Sequence, residues 1–195
     1  MNLDQFWATV ESARAGTAET LGDGGKALAS ALVSRLAATS PDEIVSFQVQ
    51  FERALSSLFR WDVWAAAHLI GAGCSIDSFI DFRAGVIGLG RDWFERTVAN
   101  PDNLADHPVV RYAVELGRRD AVFAELVAYV GPEAYEVISG DGDAFFRAMD
   151  KYAASGGQRF EPKIPMGEQF DFADQAQLRA RLPRLSTLYL TAGNR

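Results

Sequence analysis

The stretch Ser40–Leu58 constrains what this chain can fold into more than any other. Ser40 can accept from the free amides of a helix start, Pro41 suits the first helical position, and Glu43 can reach back to close a capping box. Ile44, Phe47, Phe51, Leu55 and Leu58 follow at three- and four-residue steps, which lines them along one side of a helix. The same period recurs elsewhere. Leu3–Arg14 carries Phe6, Trp7 and Val10 on one face. Lys26–Ala38, after the Gly22–Gly25 break, carries Leu28, Leu32 and Leu36 with Ala29 and Val33 alongside. Alternation at period two, the mark of a half-buried strand, hardly occurs. The pattern predicts an all-α fold.

Further helices are expected at Trp61–Ile70, ended by Gly71-Ala72-Gly73, and from Ser75 as a cap to Gly88–Gly90. The buried face of the latter would be Ile76, Phe79, Ile80, Val86 and Ile87. Arg91–Val98 should stop before Asn100-Pro101, because a residue preceding proline avoids helical backbone. Asp102–Pro108 reads as turn. Beyond it the pattern gives helices near Asp120–Tyr129, Glu133–Ile138 and Asp143–Ala153, punctuated by Gly131-Pro132 and Ser139-Gly140-Asp141-Gly142. Residues 155–173, with Pro162 and Pro165, read as an irregular arm, and 174–195 as a terminal helical segment broken or kinked at Pro183. At 195 residues and 21.3 kDa the whole chain is expected to form one compact helical domain with an extended, proline-containing C-terminal arm.

Composition narrows the function. The chain is 48% hydrophobic and 23% charged, enough apolar material for a packed core. Nineteen Lys and Arg against 26 Asp and Glu leave a net charge of −7, which argues against a nucleic-acid backbone as partner. The single cysteine excludes an internal disulfide and fits a reducing compartment. Asp4 and Glu11 interrupt any leader-like apolar run, and no stretch approaches the ~20 apolar residues of a membrane span. A cytoplasmic location without membrane attachment is expected.

No set of residues signals a known chemistry outright. His68 and His107 lie far apart, with no Cys or His at ligand spacing, so no metal is predicted. Asp141-Gly142-Asp143 lacks the remaining positions of a calcium loop and reads as a helix start. Gly71-Ala72-Gly73 and Gly88-Leu89-Gly90 follow helices, not strands, and read as helix terminators; no cofactor is predicted. Cys74 stands before a capped helix whose dipole would favour a thiolate, with His68 or His107 as a base. The plainer reading is a small buried hydrophobe. Asp77 and Asp81, one turn apart, could share a proton for general acid work or join Arg83 and Arg91 in a network bracing the helices. Arg91 and Glu95 read as an ordinary pair. Trp61, Trp64 and Trp93, with Phe79, Phe82 and Phe94, could line a pocket but read first as core. Charge is uneven. Residues 61–110 hold Asp62, Asp77, Asp81, Asp92, Glu95, Asp102 and Asp106 against Arg83, Arg91 and Arg96, whereas Arg179, Arg181, Arg184 and Arg195 follow Asp174 with no acid. The two regions could pair within the molecule, or either could meet a partner.

Several runs resemble a bacterial family catalogued as domain of unknown function 4240. They are Asp62-Val63-Trp64-Ala65-Ala66-Ala67, Gly73-Cys74-Ser75-Ile76-Asp77-Ser78-Phe79-Ile80-Asp81-Phe82-Arg83, Gly90-Arg91 and Asn100-Pro101-Asp102-Asn103-Leu104-Ala105. Phe6-Trp7, the Ile44/Phe47/Phe51 helix, Pro165-Met166-Gly167 and Leu182-Pro183-Arg184-Leu185 are similar to that family's ends. Gly85-Val86-Ile87 departs from a Trp-containing run and Trp93-Phe94-Glu95 from a Tyr-Glu pair; both read as swaps of packing residues. The resemblance implies an all-helical bacterial protein with no assigned activity.

Two functions are weighed. The preferred one is a binding or regulatory module whose acidic 61–110 surface takes a basic protein partner. The alternative is a small-molecule binder or enzyme built around residues 73–91. It would use Asp77, Asp81, Arg83, Arg91 and Glu95 for binding, with Cys74, Asp77 and Asp81 as catalytic candidates. A cleft with these groups on its floor would favour the second; a filled core with Asp81 and Arg83 paired inside would favour the first.

Overall fold

The structure is a computed structural model and describes residues 1–17, 23–159 and 166–190. Its elements are α1 (Leu3–Arg14), α2 (Lys26–Leu36), α3 (Pro41–Ser57), α4 (Trp61–Gly71), α5 (Ile76–Gly88), α6 (Arg91–Ala99), α7 (Pro108–Glu115), α8 (Val130–Ser139), α9 (Ala144–Ala154), α10 (Gln175–Arg181) and α11 (Pro183–Leu190). Tighter 3₁₀ turns occupy Pro101–Asp106 and Glu125–Tyr129, and no strand occurs among the described residues. The fold is all-α. Gly22, Pro162, Pro165 and Arg195 lie outside the described residues; Met166–Ala173, the described end of the expected arm, is non-helical.

Local chemistry starts several of these helices. Ser40 and Glu43 exchange the two bonds of a capping box, each at 3.3 Å, and Asn2 and Gln5 do the same for α1 at 2.9 and 2.8 Å. The α3 stripe is the centre of the core: Ile44, Phe47, Phe51 and Leu58 are buried and Leu55 is half-buried. Phe6 of α1 meets Phe47 at 5.0 Å between ring centroids, and α2 packs across α1 and α8. No single helix among the described residues is long and apolar enough to cross a membrane; α4 and α5 together are, but they meet at a 96° bend.

Expectations change in three stretches of the chain. Helix α7 begins where turn was expected, because the His107 imidazole caps it through Nδ1, accepting the Val109 N–H at 3.1 Å, with Pro108 at the first position. Histidine is not a usual cap residue, so the start is hard to see in sequence. Asp120–Tyr129 is not an α-helix: a turn leads into the 3₁₀ segment Glu125–Tyr129. Gly131-Pro132 does not separate helices but lies in the first turn of α8, where amides lack intrahelical partners and proline's missing N–H costs little. Third, α5 does not bury the face expected for it. Phe79, Val86 and Ile87 are buried, but Ile76 is 59% and Ile80 39% exposed. The face covered at Arg83 and Ile87 stands open one and two turns earlier.

Backbone approach explains how α5 is wrapped. Gly85 faces the Val122 carbonyl so closely that a Cβ there would lie 1.5 Å from the oxygen, and one on Gly88 would meet Leu28 at 2.9 Å. The Ala124 N–H donates to the Asp81 carbonyl at 3.1 Å, holding the 120–124 turn against the helix. Gly85 is therefore more than a neutral packing swap.

The far end of the chain is fixed by one buried carboxylate. Asp102, 2% exposed, accepts the Leu185 N–H at 2.9 Å and the Arg184 N–H at 3.1 Å, and so caps α11 from 82 residues away. It does not belong to an acidic surface. We expect Asp102→Ala to lower stability by about 2–4 kcal/mol, since two buried amides lose a charged acceptor; thermal melting and faster amide exchange at Leu185 would show it. Gly85→Ala should cost about 1–3 kcal/mol, because the neighbour that must move is backbone. An unchanged melting temperature would contradict that contact.

Candidate functional site

Most of the acids between residues 61 and 110 are occupied. Asp62 binds Arg60 at 2.5 Å, Asp92 binds Arg96 at 2.9 Å, Glu95 binds Arg91 at 2.8 Å, and Asp106 takes Arg184 and Arg111. With Asp102 buried as a cap, only Asp77 and Asp81 remain without a cation among the described residues. Both stand on the first turns of α5, which Ser75 starts by accepting the Ser78 N–H at 3.1 Å. The Asp81 carboxyl is pushed above its ordinary range, first by partial burial and then by the charges of Glu125 and Asp77. Glu125 is exposed on the adjoining 3₁₀ turn. Three carboxylates thus repel one another beside the exposed Ile76 and Ile80.

The other candidates stand elsewhere. Arg83 is 7% exposed and is not paired with Asp81. Its guanidinium donates to the carbonyls of Leu55 at 3.0 Å and Phe79 at 3.3 Å, with its carbon 5.1 and 4.8 Å from the ring centroids of Phe59 and Phe79. Burial lowers its pKa to about 10, so it stays charged at neutral pH. It braces α3 against α5. Arg91 sits past the opposite end of α5, whose last residue, Gly88, lies roughly 16 Å along the axis from Asp77. There it binds Asp4 at 2.9 Å and Glu95 at 2.8 Å, and its amide donates to Glu11 at 2.8 Å, tying α6 to α1. The five binding candidates therefore do not form one cluster. Asp77 and Asp81 share a face; Arg83 is interior; Arg91 and Glu95 make an exposed inter-helix tie.

Cys74 is half-buried. Its thiol donates weakly to the Ser75 carbonyl at 3.5 Å, while its own carbonyl accepts the Trp64 Nε1–H at 3.0 Å. Burial pushes the thiol up to about 11; the Trp64 hydrogen bond opposes that rise and the Asp81 charge adds to it. A nucleophilic thiolate needs the reverse shift. His107 is 1% exposed and packs edge-on against Trp93 at 4.6 Å while capping α7. His68 packs on Phe172 at 5.4 Å, and burial lowers its pKa.

The sequence reading missed the ground around His68. The Trp61 N–H donates to the Met166 carbonyl at 2.9 Å, which lays Met166–Ala173 across α4 as a strap. Phe172 then turns its edge to Trp61 at 6.0 Å and to Trp64 at 6.4 Å. Trp64 stacks on Phe79 at 4.8 Å. Open hollows follow the strap: about 710 Å³ lined by Trp61, His68 and Phe172, about 310 Å³ beside it against α10 and α11, and about 210 Å³ near Arg60 and Arg181. Trp61 thus lines a groove, while Phe79 and Phe82 are core. Phe170 and Phe172 were the available signal, since apolar rings in a segment without period must pack on something. For the thiol, alkylation of the folded protein by iodoacetamide at pH 7.5 should run at least about 100-fold slower than that of free cysteine, and should still be rising with pH at about pH 10, where free cysteine has levelled off.

A family model described as "Protein of unknown function (DUF4240)" matches residues 1–137, which takes in α1 through α7 and most of α8. The strap, α10 and α11 lie beyond the matched residues. No curated protein and no solved structure matches the chain. The match covers well over half of the sequence and includes the whole of α5, and the chain belongs to this DUF4240 family of proteins of unknown function.

Proposed function

We propose that the chain is a protein-binding module whose docking face is the N-terminal end of α5 and whose partner is a basic, amphipathic helix. The observation that carries this reading is the pairing of two exposed isoleucines, Ile76 and Ile80, with three carboxylates that no cation neutralises among the described residues, Asp77, Asp81 and Glu125. Aliphatic side chains one turn apart offer an apolar anchor, and flanking negative charge steers and orients a Lys- or Arg-bearing partner. The reading is narrower than an acidic middle region, since the other acids of that region are spent on ion pairs or on a cap.

The raised Asp81 gives it a thermodynamic handle. Asp81 holds its proton more tightly in the folded chain, so its ionisation withdraws stability as pH rises through the ordinary carboxylate range, and the handicap vanishes below it. Asp81→Asn should raise the melting temperature at pH 7 by about 1–2 °C and leave it unchanged near pH 3. The same variant should bind a cationic partner less well.

The direct test titrates the isotope-labelled full chain with a synthetic amphipathic Lys/Leu helix. Amide shifts should centre on residues 74–82 and 125–129, and the affinity should fall at least tenfold between 50 and 500 mM salt. Ile76→Ser, at the more exposed of the two, should weaken binding with little change in the melt, and Ile76→Ser/Ile80→Ser should weaken it at least tenfold. Shifts centred elsewhere, or a double variant that binds as well as the parent, would overturn the proposal.

A further inference from the structure

The geometry points to a second site, separate from the α5 face: the hollow of about 310 Å³ between α4, α10 and α11 takes a small aromatic carboxylate, with Arg119 as its anion partner. The volume lies at the lower end of ligand pockets, which run from about 300 to 1,000 Å³, and suits a single ring. The walls are mixed: Leu69, Leu178 and Phe172 supply apolar surface, and His68, Arg119 and Gln175 supply polar groups. Leu69 and Leu178 are buried, and Phe172 is held edge-on to the indoles of α4.

Arg119 is what makes the hollow an anion site. It is half-buried, yet no carboxylate pairs with it among the described residues, in a chain whose net charge is −7. Its sequence neighbour Asp120 is taken by Arg118 at 2.9 Å. The guanidinium donates to the Leu69 carbonyl at 3.1 Å and more loosely to the Tyr189 carbonyl at 3.5 Å, which leaves part of its five-donor fork unused. That fork matches a carboxylate by two parallel bonds. The same group lies 4.9 Å from the Tyr189 ring centroid, and the buried Tyr189 hydroxyl has no hydrogen-bond partner. His68 completes the polar rim, its pKa lowered by burial, so the wall carries one full positive charge and suits a monoanion better than a phosphate dianion.

The test titrates the full labelled chain with benzoate, benzamide and benzylamine, followed by amide shifts. Benzoate should saturate with a Kd near or below about 1 mM, shift residues around 68–72, 119 and 178, and bind at least tenfold more tightly than benzamide; benzylamine should not bind. Arg119→Gln should abolish the preference for benzoate over benzamide. Because Arg119 also holds the Leu69 carbonyl, Ala173→Trp provides a variant that fills the exposed rim without touching that bond, and it should remove benzoate binding at an unchanged melting temperature. Equal binding of benzoate and benzamide, no saturable shift, or full affinity in Ala173→Trp would overturn the assignment.

Discussion

Helix α5 can be enclosed from Phe82 onward because its positions 84, 85 and 88 carry little or no side chain. A turn of backbone at Val122 lies directly on Gly85, and Leu28 reaches Gly88. Such close approach brings many atoms into contact per residue, which is where dispersion and apolar burial gain most. The cost is local. Val122 adopts φ 72°, an uncommon conformation for a β-branched residue, and it holds because the surrounding contacts fix it. The same helix meets the 3₁₀ segment Glu125–Tyr129, α3 through Arg83, α4 through the Trp64–Phe79 stack and α6 through the turn at Gly90.

The same enclosure leaves the start of α5 uncovered. The helix runs from a wet end bearing Ile76, Asp77, Ile80 and Asp81 to a dry end in which even a guanidinium is interior. Arg83 is tolerated there because two carbonyls and two aromatic faces replace its water, and it stays charged at neutral pH although no acid pairs with it among the described residues. One helix therefore serves as structural spine and as candidate docking face, at opposite ends. The strap over α4 belongs to a second region, where rings from a non-helical segment close over Trp61, Trp64 and His68 and shape the hollows beside Arg119. The family match ends at residue 137, so it takes in α4, α5 and Arg119 while the strap lies outside the matched part.

Legibility follows the range of the interaction. The α3 start was readable because Ser40, Pro41 and Glu43 act within four residues, and its stripe because Ile44, Phe47 and Phe51 repeat at the helical period. The α11 cap was not, since its acceptor is Asp102, which looked like one more surface acid. Cys74 stood as a nucleophile candidate beside the plainer reading of a buried hydrophobe because helix-start position is local, whereas the burial that raises its pKa is not. Gly131-Pro132 looked like a boundary for the same reason: proline excludes itself from helix interiors, but whether it lies inside or at the first turn depends on where the preceding 3₁₀ segment ends.

Periodicity, capping residues and the shortage of alternating stretches determined by themselves that this chain is helical, where its longest helix begins, and that one region concentrates acids. Those properties depend on neighbours a few residues apart, and a linear string records them. Which acids remain unpaired among the described residues, that Ile76 and Ile80 stay in solvent, and that Arg119 lines a hollow with no carboxylate paired to it among the described residues were decided by tertiary packing. Burial and charge pairing depend on which surfaces meet, and the partners involved come from segments tens of residues apart.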